Sequence, residues 1–157
     1  MIDDNACKIL ETIHTRSNGV PACVTYKDKA IIHSVMLMLE VSATEVQLKK
    51  KKWPGDPWPD APQWREQLPK GLKYLATSAI RGTDKQERQY VQFEALDGST
   101  TCYMQGELYD LVRDQLDNPV FRLMDAPGQK GQRLGIGIFV NGELVGATSP
   151  LLPPAVE

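Results

Sequence analysis

Two Asx-Gly pairs, Asp97-Gly98 and Asn141-Gly142, constrain this chain more than anything else in it. Each lies between runs that read as β-strand: YVQFEAL and STTCYM around the first, GIFV and ELVGA around the second. Asparagine or aspartate followed by glycine supplies the positive φ angles that a two-residue primed turn requires, and that turn matches the twist of antiparallel strands. Both regions therefore predict hairpins, and hairpins predict an antiparallel sheet.

A sheet needs something to cover it. Residues 3–16, DDNACKILETIHTR, place Ala6, Ile9, Leu10 and Ile13 at i, i+3, i+4 and i+7, the spacing of one helical face. Asp3 or Asp4 caps the start, and Asn18-Gly19 followed by Pro21 stops it. A second stripe, Leu108, Leu111, Val112 and Leu116, predicts a helix over 106–117, ended by Asn118-Pro119 because a residue before proline avoids the helical region. The expected architecture is α+β: an antiparallel β-sheet built from hairpins, covered by two amphipathic helices. ACVTY reads as a strand and TEVQLK, residues 44–49, as another. Residues 30–41 fit a strand or a helix equally, since Ile31, Ile32, Val35, Met36 and Leu39 also make a helical stripe.

The chain has 157 residues, enough for a single domain spanning 1–157 with a real core. No apolar run approaches the roughly 20 residues needed to cross a bilayer, and the acidic first residues lack the pattern of a signal peptide. No membrane association and a cytoplasmic location are the expectations. Cys7, Cys23 and Cys102 are odd in number and widely spaced, which predicts reduced thiols. Cys7, His14, Cys23 and His33 lack the close spacing of a local tetrahedral site, so no metal is expected. No G-x-S-x-G elbow is present, and Ser99 follows a hairpin turn. No catalytic residue and no cofactor follow from the main reading.

Charge is distributed unevenly. The formal net charge is −2, yet residues 49–73 hold seven bases and three acids. That segment contains KKKKWPGDPWPDAPQWR, with all three tryptophans. Five of the eleven prolines fall between Pro54 and Pro69, which excludes regular helix or central strand. A Trp/Pro/Lys-rich surface loop over 49–70 is the expectation, and the proline-rich tail at 149–157 reads as an extended strap. The indoles of such a loop either anchor it to the sheet or stand out as stacking platforms beside lysines, the combination single-strand binders use.

Two functions of different class follow. The first is a non-enzymatic binding module for an anionic partner, single-stranded nucleic acid slightly ahead of an acidic protein, using Lys50, Lys52, Trp53, Trp58, Trp64 and Arg65. The second rests on residues 128–137. QRLGIG, residues 132–137, fits Q/R-x-x-G-x-G/A and in this resembles the acetyltransferases of the GNAT family. The resemblance implies a small acyl- or nucleotide-handling enzyme, with Gly135 and Gly137 baring backbone N–H groups to a pyrophosphate at a helix start and Lys130 and Arg133 nearby. The following IFVNGELVGA reads as a hairpin, which instead puts both glycines in a strand. A helix opening at Gly135–Gly137 favours the enzyme; exposed tryptophans favour the binding module.

Overall fold

A computed structural model describes residues 22–34, 37–42, 58–67, 74–85, 87–95, 101–123 and 135–148. The expected helix at 3–16, the strand at 44–49, the lysine run and the 149–157 tail lie outside these residues. The described ones form nine strands and one α-helix. In chain order the strands are β1 (Ala22–Tyr26), β2 (Lys29–His33), β3 (Leu37–Ser42), β4 (Tyr74–Thr83), β5 (Gln89–Ala95), β6 (Thr101–Gln105), β7 (Val120–Leu123), β8 (Ile136–Val140) and β9 (Glu143–Thr148). Helix α1 is Gly106–Gln115, and a 3-10 segment covers Ala61–Gln67. The fold is a β-rich α+β arrangement in which every pairing is antiparallel, in the order β1-β2-β3-β9-β8-β7-β4-β5-β6.

The β8–β9 turn is Asn141-Gly142, with φ of 51° and 80°, both in the left-handed region the primed turn demands. At the other pair, β5 and β6 meet in register from Tyr90 opposite Gln105 to Glu94 opposite Thr101, while the Asp97-Gly98 turn itself lies outside the described residues. Of residues 30–41, equally helix or strand by pattern, 30–33 lie in β2 and 37–41 in β3, which pair as a hairpin. It is closed by Ser34 N–H donating to Leu37 O at 2.9 Å and Leu37 N–H donating to Ser34 Oγ at 3.1 Å. The ambiguity has a physical cause. Ala30, Ile32, Leu37, Leu39 and Val41 face the main core, and Ile31 and Met38 are buried on the opposite face. A strand buried on both sides loses the polar alternation that identifies it.

Helix α1 buries Leu108, Tyr109, Leu111 and Val112 in the core that β2, β3, β5, β6, β7 and β8 also line. Phe93, Tyr109 and Phe121 form its aromatic centre, with ring centroids 5.0–5.7 Å apart. The helix ends at Leu116, which is extended, and Asn118 turns the chain with φ of 46° just before Pro119. Cys102 lies in this core, where burial pushes its thiol up to about 12.

Strand β9 is inserted between β3 and β8, and Gly146 makes that insertion possible. A Cβ at this position would lie 2.6 Å from the Met38 carbonyl oxygen and 3.1 Å from Leu39 Cδ1. The nearer atom is backbone and cannot rotate away. Gly146→Ala is expected to cost about 1–3 kcal/mol, as overpacking does elsewhere, read as a lowered urea midpoint at unchanged slope.

Candidate functional site

The sheet has a second buried patch on the face away from α1. Ile31, Met38 and Ala147 lie there, with Val24 and Leu144 partly buried beside them. The 3-10 segment covers this patch. Pro59 and Pro62 have no N–H to extend a helical ladder, so the run stays short and kinks at Gln63. It opens with Ala61 N–H donating to Trp58 O at 3.1 Å and Gln63 N–H to Asp60 O at 2.9 Å.

Three fastenings hold the segment down. Trp64 is fully buried among Ile31, Met38, Ala61 and Ala147, and its indole N–H donates to Glu40 Oε2 at 3.3 Å. Arg65 stacks on the Trp64 ring with its guanidinium 4.6 Å from the centroid, forms an ion pair with Glu40 and donates to Leu144 O at 2.8 Å. At the other end, the Trp58 backbone N–H donates to Nε2 of His33 at 3.1 Å, and the two rings meet edge to face. His33 is only 8% exposed, and desolvation lowers its pKa from the ordinary 6.5.

The same face continues across β8 and β7. Because Phe121, Leu123, Ile136 and Ile138 point into the main core, alternation turns Val120, Arg122, Gly137 and Phe139 outward. Val120 is opposite Phe139 and is 42% exposed. The Arg122 guanidinium lies 5.3 Å from the Phe139 ring centroid. No carboxylate among the described residues forms an ion pair with Arg122. Arg65, with its side chain 47% exposed, borders this shelf through its bond to Leu144, the β9 partner of Phe139. Two arginines, each stacked on an aromatic ring, thus frame a small apolar surface.

The sequence-derived candidates divide as follows. Trp64 has no surface left for a partner, and the polar edge of Arg65 is largely engaged with Glu40 and Leu144. Trp58 is half-buried at the edge of the patch. Lys50, Lys52 and Trp53 lie outside the described residues, as do Lys130 and Arg133. Gly135 donates its N–H to Thr148 O at 2.9 Å, and Gly137 sits inside β8 between Arg122 and Ala147. The helix start that the acetyltransferase resemblance implies is therefore a strand here, and its dipole and free amides are missing. Arg122, Phe139 and Val120 escaped the sequence reading. The signal was the alternation in VFRL, four residues long, which places Val120 and Arg122 on one face.

The outer face of β4–β6 is of a different kind. It carries Tyr90 and Tyr103 edge to face at 5.7 Å, Gln92, and Ile80 at 55% exposure, with Glu94 as the charged residue of the β5 row. Arg81 points the other way, to Asp110 and the ring of Tyr109 on α1. Among the described residues, no three His, Cys, Asp or Glu side chains gather as a metal site requires. No protein-family model, curated protein or solved structure matches the chain.

Proposed function

We propose that this chain is a non-enzymatic binding domain for an anionic partner, single-stranded nucleic acid ahead of an acidic protein. It would use the basic 49–73 segment together with the adjoining face of β7 and β8. The observation that supports this most is Arg122, stacked on Phe139 beside exposed Val120 and without a carboxylate partner among the described residues. A guanidinium held over a ring keeps its N–H edge for phosphate or carboxylate, while the neighbouring apolar surface suits a base or side chain. The docking of Trp64 and Arg65 adds support, because it fixes one end of the lysine-bearing segment beside this shelf.

The test is fluorescence anisotropy with labelled mixed-sequence single-stranded DNA and RNA over a salt series, with polyglutamate as a second probe. Log affinity for nucleic acid should fall with log salt at about −0.7 per neutralised phosphate. Arg122→Gln is expected to weaken binding by about ten- to a hundredfold, since a hydrogen bond to a charged group contributes roughly 1.5–3 kcal/mol, and to flatten the slope by one phosphate. Replacing Lys49 to Lys52 by glutamine should flatten it further. Binding to polyglutamate alone would identify an acidic protein as the partner class, and binding to neither polymer at low salt would overturn the reading.

A further inference from the structure

We propose that His33 is a pH-operated latch on the 58–67 segment, released when its Nε2 takes up a proton. The latch is visible in the hydrogen bond between Trp58 and His33. A backbone N–H needs an acceptor, and the one it has is an imidazole nitrogen. Nε2 accepts only when it carries no proton, so neutral His33 holds its hydrogen on Nδ1. A proton from solvent bound at Nε2 turns the acceptor into a second donor facing the Trp58 N–H. The bond is lost, and two donors are left opposed in a site that is nearly closed to water.

The charged surroundings leave the imidazole to respond to pH by itself. On this face of the sheet, β2 also presents Lys29, β3 presents Glu40, and β1 presents Tyr26 beyond Val24. The covering segment brings Asp60, Arg65 and Glu66, and the β9 residue here is Ala147. Glu40 is committed to Arg65 and Trp64. No carboxylate among the described residues pairs with His33, so nothing there offsets the desolvation that lowers its pKa. The sign follows. The bond contributes fully above about 6.5, where the unfolded histidine is neutral too. Its contribution declines as pH falls from there and is gone below the lowered folded value.

Release is confined to one end. Trp64 remains buried and bonded to Glu40, so the segment pivots there and Trp58 is set free. The functional meaning of the latch rests on the binding reading above: acidification would free the half-buried Trp58 indole to stack, and so strengthen the grip on a polyanion.

The latch is tested by NMR on the full chain with no polyanion present, which separates its failure from failure of the binding reading. At pH 7.5 the imidazole ¹⁵N shifts should show a bare Nε2. Between pH 7.5 and 5 the His33 midpoint should fall below 6.5, and the Trp58 amide should shift with the same midpoint while the Trp64 indole N–H stays still. His33→Gln offers an acceptor that does not titrate and should abolish the Trp58 transition. A Trp58 amide that ignores the His33 titration would overturn the latch. So would a His33 midpoint at or above 6.5, or a Trp58 transition that persists in the glutamine variant. Should that variant fail to fold, the wild-type midpoints alone decide.

Discussion

Trp64→Ala is expected to destabilise the domain by about 3–5 kcal/mol, the usual cost of deleting a buried aromatic side chain. At roughly 2–4 °C per kcal/mol for a chain of this size, the melting temperature should drop on the order of 10 °C. The indole is wholly buried between the 3-10 segment and the second sheet face, so its loss leaves a cavity there. It also removes the N–H that Glu40 accepts and the ring on which Arg65 lies. Thermal melts measure the stability directly. The informative comparison is with nucleic-acid binding at a temperature where the variant stays folded. An anchoring tryptophan predicts unchanged affinity at every salt concentration, whereas loss of a stacking tryptophan would weaken affinity about equally throughout the series and leave the slope as it was.

Phe93→Ala should be as severe, about 3–5 kcal/mol, and for a different reason. Phe93 stacks on Phe121 at 5.0 Å and meets the Tyr109 ring at 5.7 Å, so one ring joins β5 to β7 and to α1. Neither neighbour is free to fill the void. Tyr109 is tied at its hydroxyl to Arg113 at 2.9 Å and has Arg81 over its ring, and Phe121 is fixed in β7. Chemical denaturation of Phe93→Ala, Phe121→Ala and the double variant should show costs that do not add, because the two rings share one cavity.

What was legible in the sequence was whatever is encoded locally. Asn141-Gly142 dictates its turn through two positive φ angles, and the stripe of Leu108, Leu111 and Val112 makes a helix wherever a sheet is near. The β2–β3 hairpin was half legible. Its residues announced burial, but burial on both faces erases the period that separates strand from helix. The candidate face was the least legible. Trp58, Trp64 and Arg65 stood out by composition, yet composition does not say whether an indole points in or out. That was decided by Glu40 and His33, residues 24 and 25 positions away from their partners. Arg122 and Phe139 are unremarkable as sequence, and only the β7–β8 register makes them neighbours.

The place of β9 has a consequence for how the molecule is made. In the sheet order, β3 is joined to β8 only through β9, the last of the described strands in chain order. During translation the β1–β2–β3 block is complete once Ser42 emerges, but the side of β3 that β9 occupies must wait for about a hundred more residues, roughly 5–20 s at about 5–20 residues per second. For that interval the nascent chain carries an apolar strand with an open edge, a template for pairing with the wrong chain. Lys49 to Lys52 follow β3 by only seven residues. Like charges so close in sequence to an aggregation-prone strand are the pattern of gatekeeper residues, which oppose pairing with another copy of the same strand.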